Sequence, residues 1–161
     1  MKLYIMRHGI ALPVGGSIQE DTQRPLSPAG KVQVQRVAEG LKRRKEVPAI
    51  VLSSPLRRAQ ETARLAAETL GVSAVETSPV LGPNTSPAGI RTLLASQPAV
   101  SGVLLVGHHP DVTLWIAFLA GLDPSVCPFF GTASIAALQL TPDKVKAEFL
   151  WFQTSEQLTQ P

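Results

Sequence analysis

Leu3-Tyr4-Ile5-Met6-Arg7-His8-Gly9 is the stretch that decides the fold. Four apolar residues, with an aromatic and a β-branched member among them, predict a short buried strand. Gly9 is expected to end it, because glycine accepts the positive φ that a sharp turn off a strand end often needs. Arg7 and His8 then stand at the carboxyl end of a strand, where ligands bind in open α/β sheets. A guanidinium is a fixed fork of donors suited to phosphate, and an imidazole can serve as nucleophile or proton carrier near neutral pH. Alone, the pair also admits a plainer reading: a surface salt bridge for Arg7 and a loop cap for His8.

Downstream, residues 10–23 carry Pro13, Gly15, Gly16 and Ser17 and read as a loop over or beside that strand end, closed by Asp21, Arg24 and Pro25. Ser27 offers an N-cap and Pro28 suits a first helical turn. Val32, Val34, Val37, Ala38 and Leu41 then put most apolar residues on one face of a helix that ends before Pro48. Ala49-Ile50-Val51-Leu52 predicts a second buried strand, and residues 55–70 a helix stopped by Gly71. A short strand is expected at 74–77, a loop at 78–87, and a helix at 87–96 with Ser86 as its cap. Val103-Leu104-Leu105-Val106 predicts a third buried strand, running into Gly107-His108-His109-Pro110 and a helix at 111–120. Strands near 134–140 and 147–152, joined by a turn at Pro142-Asp143, predict an antiparallel pair at one edge. The alternation predicts an α/β three-layer sandwich with a mainly parallel central sheet, one domain over 1–161, and a polar tail from about residue 154.

The 161 residues suffice for one sizeable core, and 44% apolar with 17% charged content is ordinary for a soluble globular protein. Net charge is +3 with pI near 9.4. The Lys42-Arg43-Arg44-Lys45 run falls late in a predicted helix, where cations suit the dipole and a solvated face accounts for them, so no nucleic-acid partner is expected. The lone Cys127 excludes an internal disulfide and any cysteine-based zinc cluster, and its flanks predict a buried or loop thiol. Arg7 and His8 interrupt the apolar start too early for a signal peptide, and no run approaches the ~20 apolar residues of a membrane span. A cytoplasmic monomer with no membrane partner is expected.

Three predicted strands end in polar clusters: Arg7-His8, then Ser54 with Arg57 and Arg58 in the opening turn of a helix, then His108. In a parallel sheet these ends share one edge, so guanidiniums, imidazoles and helix N-termini converge in a way that suits a phosphate dianion. Metal catalysis is not expected at His108-His109, because adjacent histidines point apart, no HExxH arrangement occurs and nearby arginines repel cations. A P-loop is absent, which weighs against nucleotide hydrolysis of that kind.

These residues also resemble a family. Arg7-His8-Gly9 after a first strand is the signature of the histidine phosphatase (phosphoglycerate-mutase-like) superfamily. Ser53-Ser54-Pro55-Leu56-Arg57-Arg58-Ala59-Gln60-Glu61-Thr62-Ala63 resembles its second motif, and Val106-Gly107-His108-His109-Pro110 its third. The short length, Asp21-x-x-Arg24-Pro25-Leu26-Ser27-x-x-Gly30 and the Gly-His-x-Pro ending are most similar to the SixA phosphohistidine phosphatase branch. The resemblance implies a phosphatase without cofactor, with His8 as nucleophile and Arg7, Arg58 and His108 holding the phosphoryl oxygens. Arg58 matches the second catalytic arginine because it precedes the Ala of the Arg-Ala pair, which leaves Arg57 on the surface. Gly9 and Arg24 are further candidate phosphate or substrate contacts. For Arg24, a salt bridge to Asp21 or Glu20 is an equal alternative.

On this reading the Nδ1 of His8 should donate to a backbone carbonyl near the Gly9 turn, leaving Nε2 to attack phosphorus. His108 is expected to donate as an imidazolium supported by the dianion. Branches that act on sugar phosphates usually carry an acid for the alkoxide. Here the corresponding loop reads Leu81-Gly82-Pro83-Asn84, and no Asp directly follows His108. An imidazole leaving group, with a conjugate-acid pKa near ~6.5, needs no such donor. The expected substrate is therefore phosphohistidine on a protein, such as a phosphotransfer domain. The alternatives are a phosphorylated small molecule, with Glu20 or Asp21 as acid, and a non-catalytic phosphoprotein-binding module.

Overall fold

A computed structural model describes residues 1–160. Its sheet has six strands: β1 (Lys2–Arg7), β2 (Ile50–Ser53), β3 (Ala74–Thr77), β4 (Gly102–Gly107), β5 (Ile135–Leu140) and β6 (Ala147–Gln153). They lie in the order β3-β2-β4-β1-β5-β6. The first four are mutually parallel, and β5 and β6 run antiparallel at one edge. This is the expected mainly parallel sandwich. Side chains alternate across the sheet with the strand period of two. Tyr4, Met6, Leu104 and Val106 join the core under α1 (Pro28–Arg43) and α2 (Arg57–Leu70). Leu3, Ile5, Val103 and Leu105 join the core under α3 (Ala88–Ala95) and α4 (Asp111–Ala120). Every residue of β4 is buried, as befits a central parallel strand covered on both faces.

The connection from β1 leads through α1 to β2, while that from β4 leads through α4 to β5 on the other side of β1. The chain thus leaves two neighbouring strands in opposite directions, and this opens a crevice beyond their carboxyl ends. Register keeps those ends level: Arg7 lies opposite Gly107 and Ser53 opposite Val106.

Local chemistry sets the boundaries. The Ser27 hydroxyl accepts from Gly30 N–H at 2.9 Å and starts α1. The helix α2 begins at Arg57 rather than near residue 55, because the Ser54 hydroxyl accepts from Leu56 N–H at 3.2 Å and holds Pro55 in a turn. Gly9 has no positive φ, contrary to the expectation. It is glycine because a Cβ there would lie 2.7 Å from Val34 Cγ2, so β1 can pass close to α1.

The basic run 42–45 is more engaged than a solvated face. Arg43 donates to Leu158 O at 3.3 Å and Arg44 lies over the Trp151 ring at 4.4 Å. Among the described residues no helix is long and apolar enough to cross a membrane.

The polar tail is a correction. Thr154 and Gln157 form a capping box that starts a short helix, α5 (Ser155–Thr159), and this packs Leu158 onto α1. Gly40 makes room for it, since a Cβ there would stand 2.5 Å from Leu158 O. One buried leucine in a polar segment carries too little periodicity to be read as a helix. We expect Leu158→Ala to lower the unfolding free energy by about 2 kcal/mol, read from urea titration. An unshifted midpoint would mean that the tail does not dock.

Candidate active site

At the end of β1 the chain is held on both sides. His8 N–H donates to Gly107 O at 3.1 Å, and His8 O accepts from Ala133 N–H at 3.0 Å. The His8 ring is buried, with Nδ1 2.7 Å from Gly9 O. A carbonyl only accepts, so Nδ1 carries the proton and Nε2 keeps its lone pair, the tautomer expected from the sequence. Gly9 itself is fully used: its N–H donates to Thr62 Oγ1 at 3.1 Å, and Thr62 in turn donates to Arg58 O at 2.7 Å. Gly9 therefore positions His8 rather than offering a free amide to phosphate. Thr62 was not singled out in the sequence, although a hydroxyl on the buried face of α2, one turn beyond Arg58, is the signal that could have found it.

The second histidine comes from the end of β4. His108 is buried with its ring centroid 5.3 Å from that of His8, and its Nε2 lies 2.7 Å from Ser54 Oγ, at the end of β2. Its Nδ1 is buried with no partner. Ser54 Oγ already accepts from Leu56 N–H. When its own proton goes to Nε2, His108 is left with an N–H at Nδ1 and no acceptor for it.

Two guanidiniums complete the cluster. Arg7 donates from Nη1 to Phe130 O at 2.9 Å. Arg58, nearly buried, donates from Nη1 to Asp21 O at 2.9 Å and from Nη2 to Asp21 Oδ2 at 3.2 Å. The Nε atoms of both are buried without partners. Buried polar groups in folded proteins nearly always find partners. Here Arg7 Nε, Arg58 Nε and His108 Nδ1 lack them, as do His109 Nδ1 and Trp115 Nε1, and the first three belong to the cluster at the ends of β1, β2 and β4.

Electrostatics follow from this crowding. Burial lowers the Arg7 pKa from its usual value, with Arg58 adding to the effect. Burial, and then Arg58, Arg7 and Arg24, push His8 down to about 4 despite the favourable Gly9 carbonyl. His108 falls to about 3, chiefly through burial and then through His8 and Arg58. Without a dianion the His108 ring is thus neutral at pH 7; the expected imidazolium concerned the ring with a dianion beside it. Asp21 is held below the usual carboxylate range, first by its hydrogen bond from Arg24 and also by Arg58.

Arg24 donates from Nε to Leu12 O at 2.7 Å and pairs from Nη1 with Asp21 at 3.1 Å. The salt bridge to Asp21 is therefore present and Arg24 ties the 10–23 loop, while its charge also bears on His8. Arg57 is exposed and paired with Glu61 at 2.7 Å, on the surface as expected. His109 turns away from His108 and meets the Phe129 ring edge-on at 4.4 Å. Cys127 is a half-buried loop thiol. Among the described residues no group of three or more His, Cys, Asp or Glu could hold a metal ion. Asp111, in the first turn of α4, is a buried acid that the sequence reading treated only as a helix start; it accepts from Asn84 N–H at 3.3 Å.

The depressed histidines give stability a pH dependence of definite sign. Below about pH 6.5 the unfolded chain takes up protons that folded His8 and His108 refuse. Stability is therefore complete above that pH and falls as pH drops toward 4. Urea midpoints measured at pH 7 and pH 5 should differ accordingly, and His8→Gln should narrow the gap. An equal gap in the variant would mean that His8 does not contribute.

Residues 3–81 match the model of a family described as the histidine phosphatase superfamily (branch 1). The phosphohistidine phosphatase SixA of Escherichia coli (strain K12) is 33% identical over 144 residues, covering 87% of this chain and 86% of that protein. An uncharacterised protein of Picosynechococcus is 35% identical over 123 residues, covering 74% of this chain and 73% of its own. Among solved structures, the protein histidine phosphatase SixA complexed with tungstate superposes with a TM-score of 0.89 at 29% identity, covering 98% of this chain and 99% of that one.

Proposed function

The chain belongs to the histidine phosphatase superfamily and is a phosphatase, and from that premise we propose that it removes phosphate from phosphohistidine on a protein, by way of a phosphohistidine of its own at His8. The observation that carries the reading is the trio of buried, partnerless nitrogens on Arg7, Arg58 and His108, set around an imidazole whose Nε2 lone pair is fixed in place. The SixA relatives support the substrate class, and tungstate, a tetrahedral oxyanion, is held by one of them. Residues 1–161 act as one catalytic domain and as a monomer.

In the first step His8 Nε2 attacks phosphorus in line. A bond forms from Nε2 to phosphorus while the bond from phosphorus to the substrate's imidazole nitrogen breaks. Arg7, Arg58 and the Nδ1–H of His108 hold the three equatorial oxygens, where charge concentrates during transfer. The departing imidazole takes its proton from water. In the second step water attacks the phosphohistidine, inorganic phosphate leaves, and His8 Nε2 regains its lone pair. Asp21 is ionised at neutral pH and has no proton to give, so the site favours a leaving group that needs none.

Turnover of a phosphohistidine protein beside a panel of sugar phosphates tests the substrate. Faster ester hydrolysis, abolished by Glu20→Gln with Asp21→Asn, would move the assignment to small-molecule esters. Rapid quenching with radiolabelled substrate should trap phosphate on the wild type and not on His8→Ala; undiminished label in the variant would sink the covalent step. Ser54→Ala should lower kcat/KM roughly 10-fold or more, as expected when a buried hydrogen bond that fixes a catalytic ring is lost. It should leave His8 labelling detectable.

A further inference from the structure

Phe129 is 71% exposed, the most exposed large apolar side chain among the described residues. It is nevertheless held in place. On one side Pro128 O accepts from Thr113 Oγ1 at 3.0 Å, fastening the loop to the first turn of α4. On the other, Phe130 is fully buried, packs edge-on against Phe152 at 5.1 Å, and gives its carbonyl to Arg7. The Phe129 ring meets His109 edge-on, at an interplanar angle of 60°, and leaves its remaining surface to solvent. Its chain neighbour thus clamps one phosphate-facing arginine, and its contact neighbour directly follows His108.

We propose that Phe129, steadied by His109, is a stacking platform at the mouth of the phosphate seat for a planar aromatic leaving group. The proposal rests on the phosphatase reading above and names the part of the substrate that the oxyanion cluster does not touch. In-line attack by buried His8 sends the leaving group away from that ring, and Phe129 is the exposed ring whose neighbours Phe130 and His109 respectively hold Arg7 and follow His108. A ring left mostly in water forfeits the gain of burial unless something covers it. A flat, partly polar ring suits a phenyl face better than an aliphatic alcohol does, because offset stacking adds to simple burial. The imidazole of phosphohistidine is such a ring, and an aryl ester carries another. His109 completes the platform by fixing the orientation of Phe129.

Three substrates separate the possibilities: N-phosphoimidazole, whose leaving group is a ring on nitrogen; p-nitrophenyl phosphate, a ring on oxygen; and phosphoramidate, which has no ring. Phe129→Ala should raise KM roughly 2- to 10-fold for both ring substrates, the range that stacking supplies. It should hold kcat and leave phosphoramidate kinetics unchanged, and Phe129→Trp should restore the ring substrates. An equal loss on all three substrates, no loss on any, or a loss that tryptophan fails to restore would overturn the platform. A wild type that cleaves p-nitrophenyl phosphate but spares both phosphorus–nitrogen substrates would defeat the phosphohistidine reading alone. The Phe129 dependence of the ester would then still decide the platform.

Discussion

Burying Arg58 beside Arg7, with a single loop carboxylate for company, is the constraint on which the rest of this sheet edge depends. Removing an ion from water costs several kcal/mol even after the surroundings relax. The fold meets that cost through rigidity elsewhere. β4 is buried along its whole length, β1 is nearly so, and register brings their ends to one level. Within such a field no further positive charge is tolerated, and both histidines are driven to the neutral form. Burial does most of this and the neighbouring arginines add to it, which leaves His8 with the free lone pair that the proposed nucleophile needs. A dianion entering the seat reverses the sign of the field, supplying the acceptors that three nitrogens lack.

Neutral imidazoles are useful only when each proton sits on the correct nitrogen, and each ring has one polar neighbour, of which only a pure acceptor fixes the tautomer. For His8 it is the carbonyl of the next residue, which can only accept. Gly9 can turn that carbonyl back because it carries no Cβ to meet Val34. For His108 it is a hydroxyl delivered by a different strand. One tautomer is therefore built into the local backbone, while the other depends on the register between β2 and β4.

That difference explains what the sequence revealed. The strand–helix alternation, the antiparallel edge and the convergence of Arg7, His8, Arg58 and His108 were all legible, because apolar runs and strand-end polar clusters are local signals. The tautomer of His8 was legible too, since its partner is adjacent in the chain. The pairing of His108 with Ser54 spans 54 residues, and no pattern in either segment announces it. The low pKa of His108 was not legible for a related reason: it depends on how deeply the ring is buried and which cations surround it, which emerges only once three strands are assembled. The C-terminal helix hid behind a polar composition, with its capping box visible only as Thr154 and Gln157.

The position of Asp21 bears on the leaving group most directly. A carboxylate reaching the site from the loop after β1 could be read as the missing acid. Its two oxygens are instead spent on Arg24 and Arg58, and both contacts favour the charged form. An acid catalyst needs the opposite environment, one that raises its pKa toward neutrality. Asp21 therefore serves the arginines, balancing Arg58, and on the proposed mechanism the leaving group takes its proton from solvent. Alkoxides do so poorly, whereas imidazole, protonated near ~6.5, does so readily at neutral pH. The contacts that hold Asp21 charged thus set it apart from an acid catalyst, and this is the feature on which the proposed preference for phosphorus–nitrogen bonds rests.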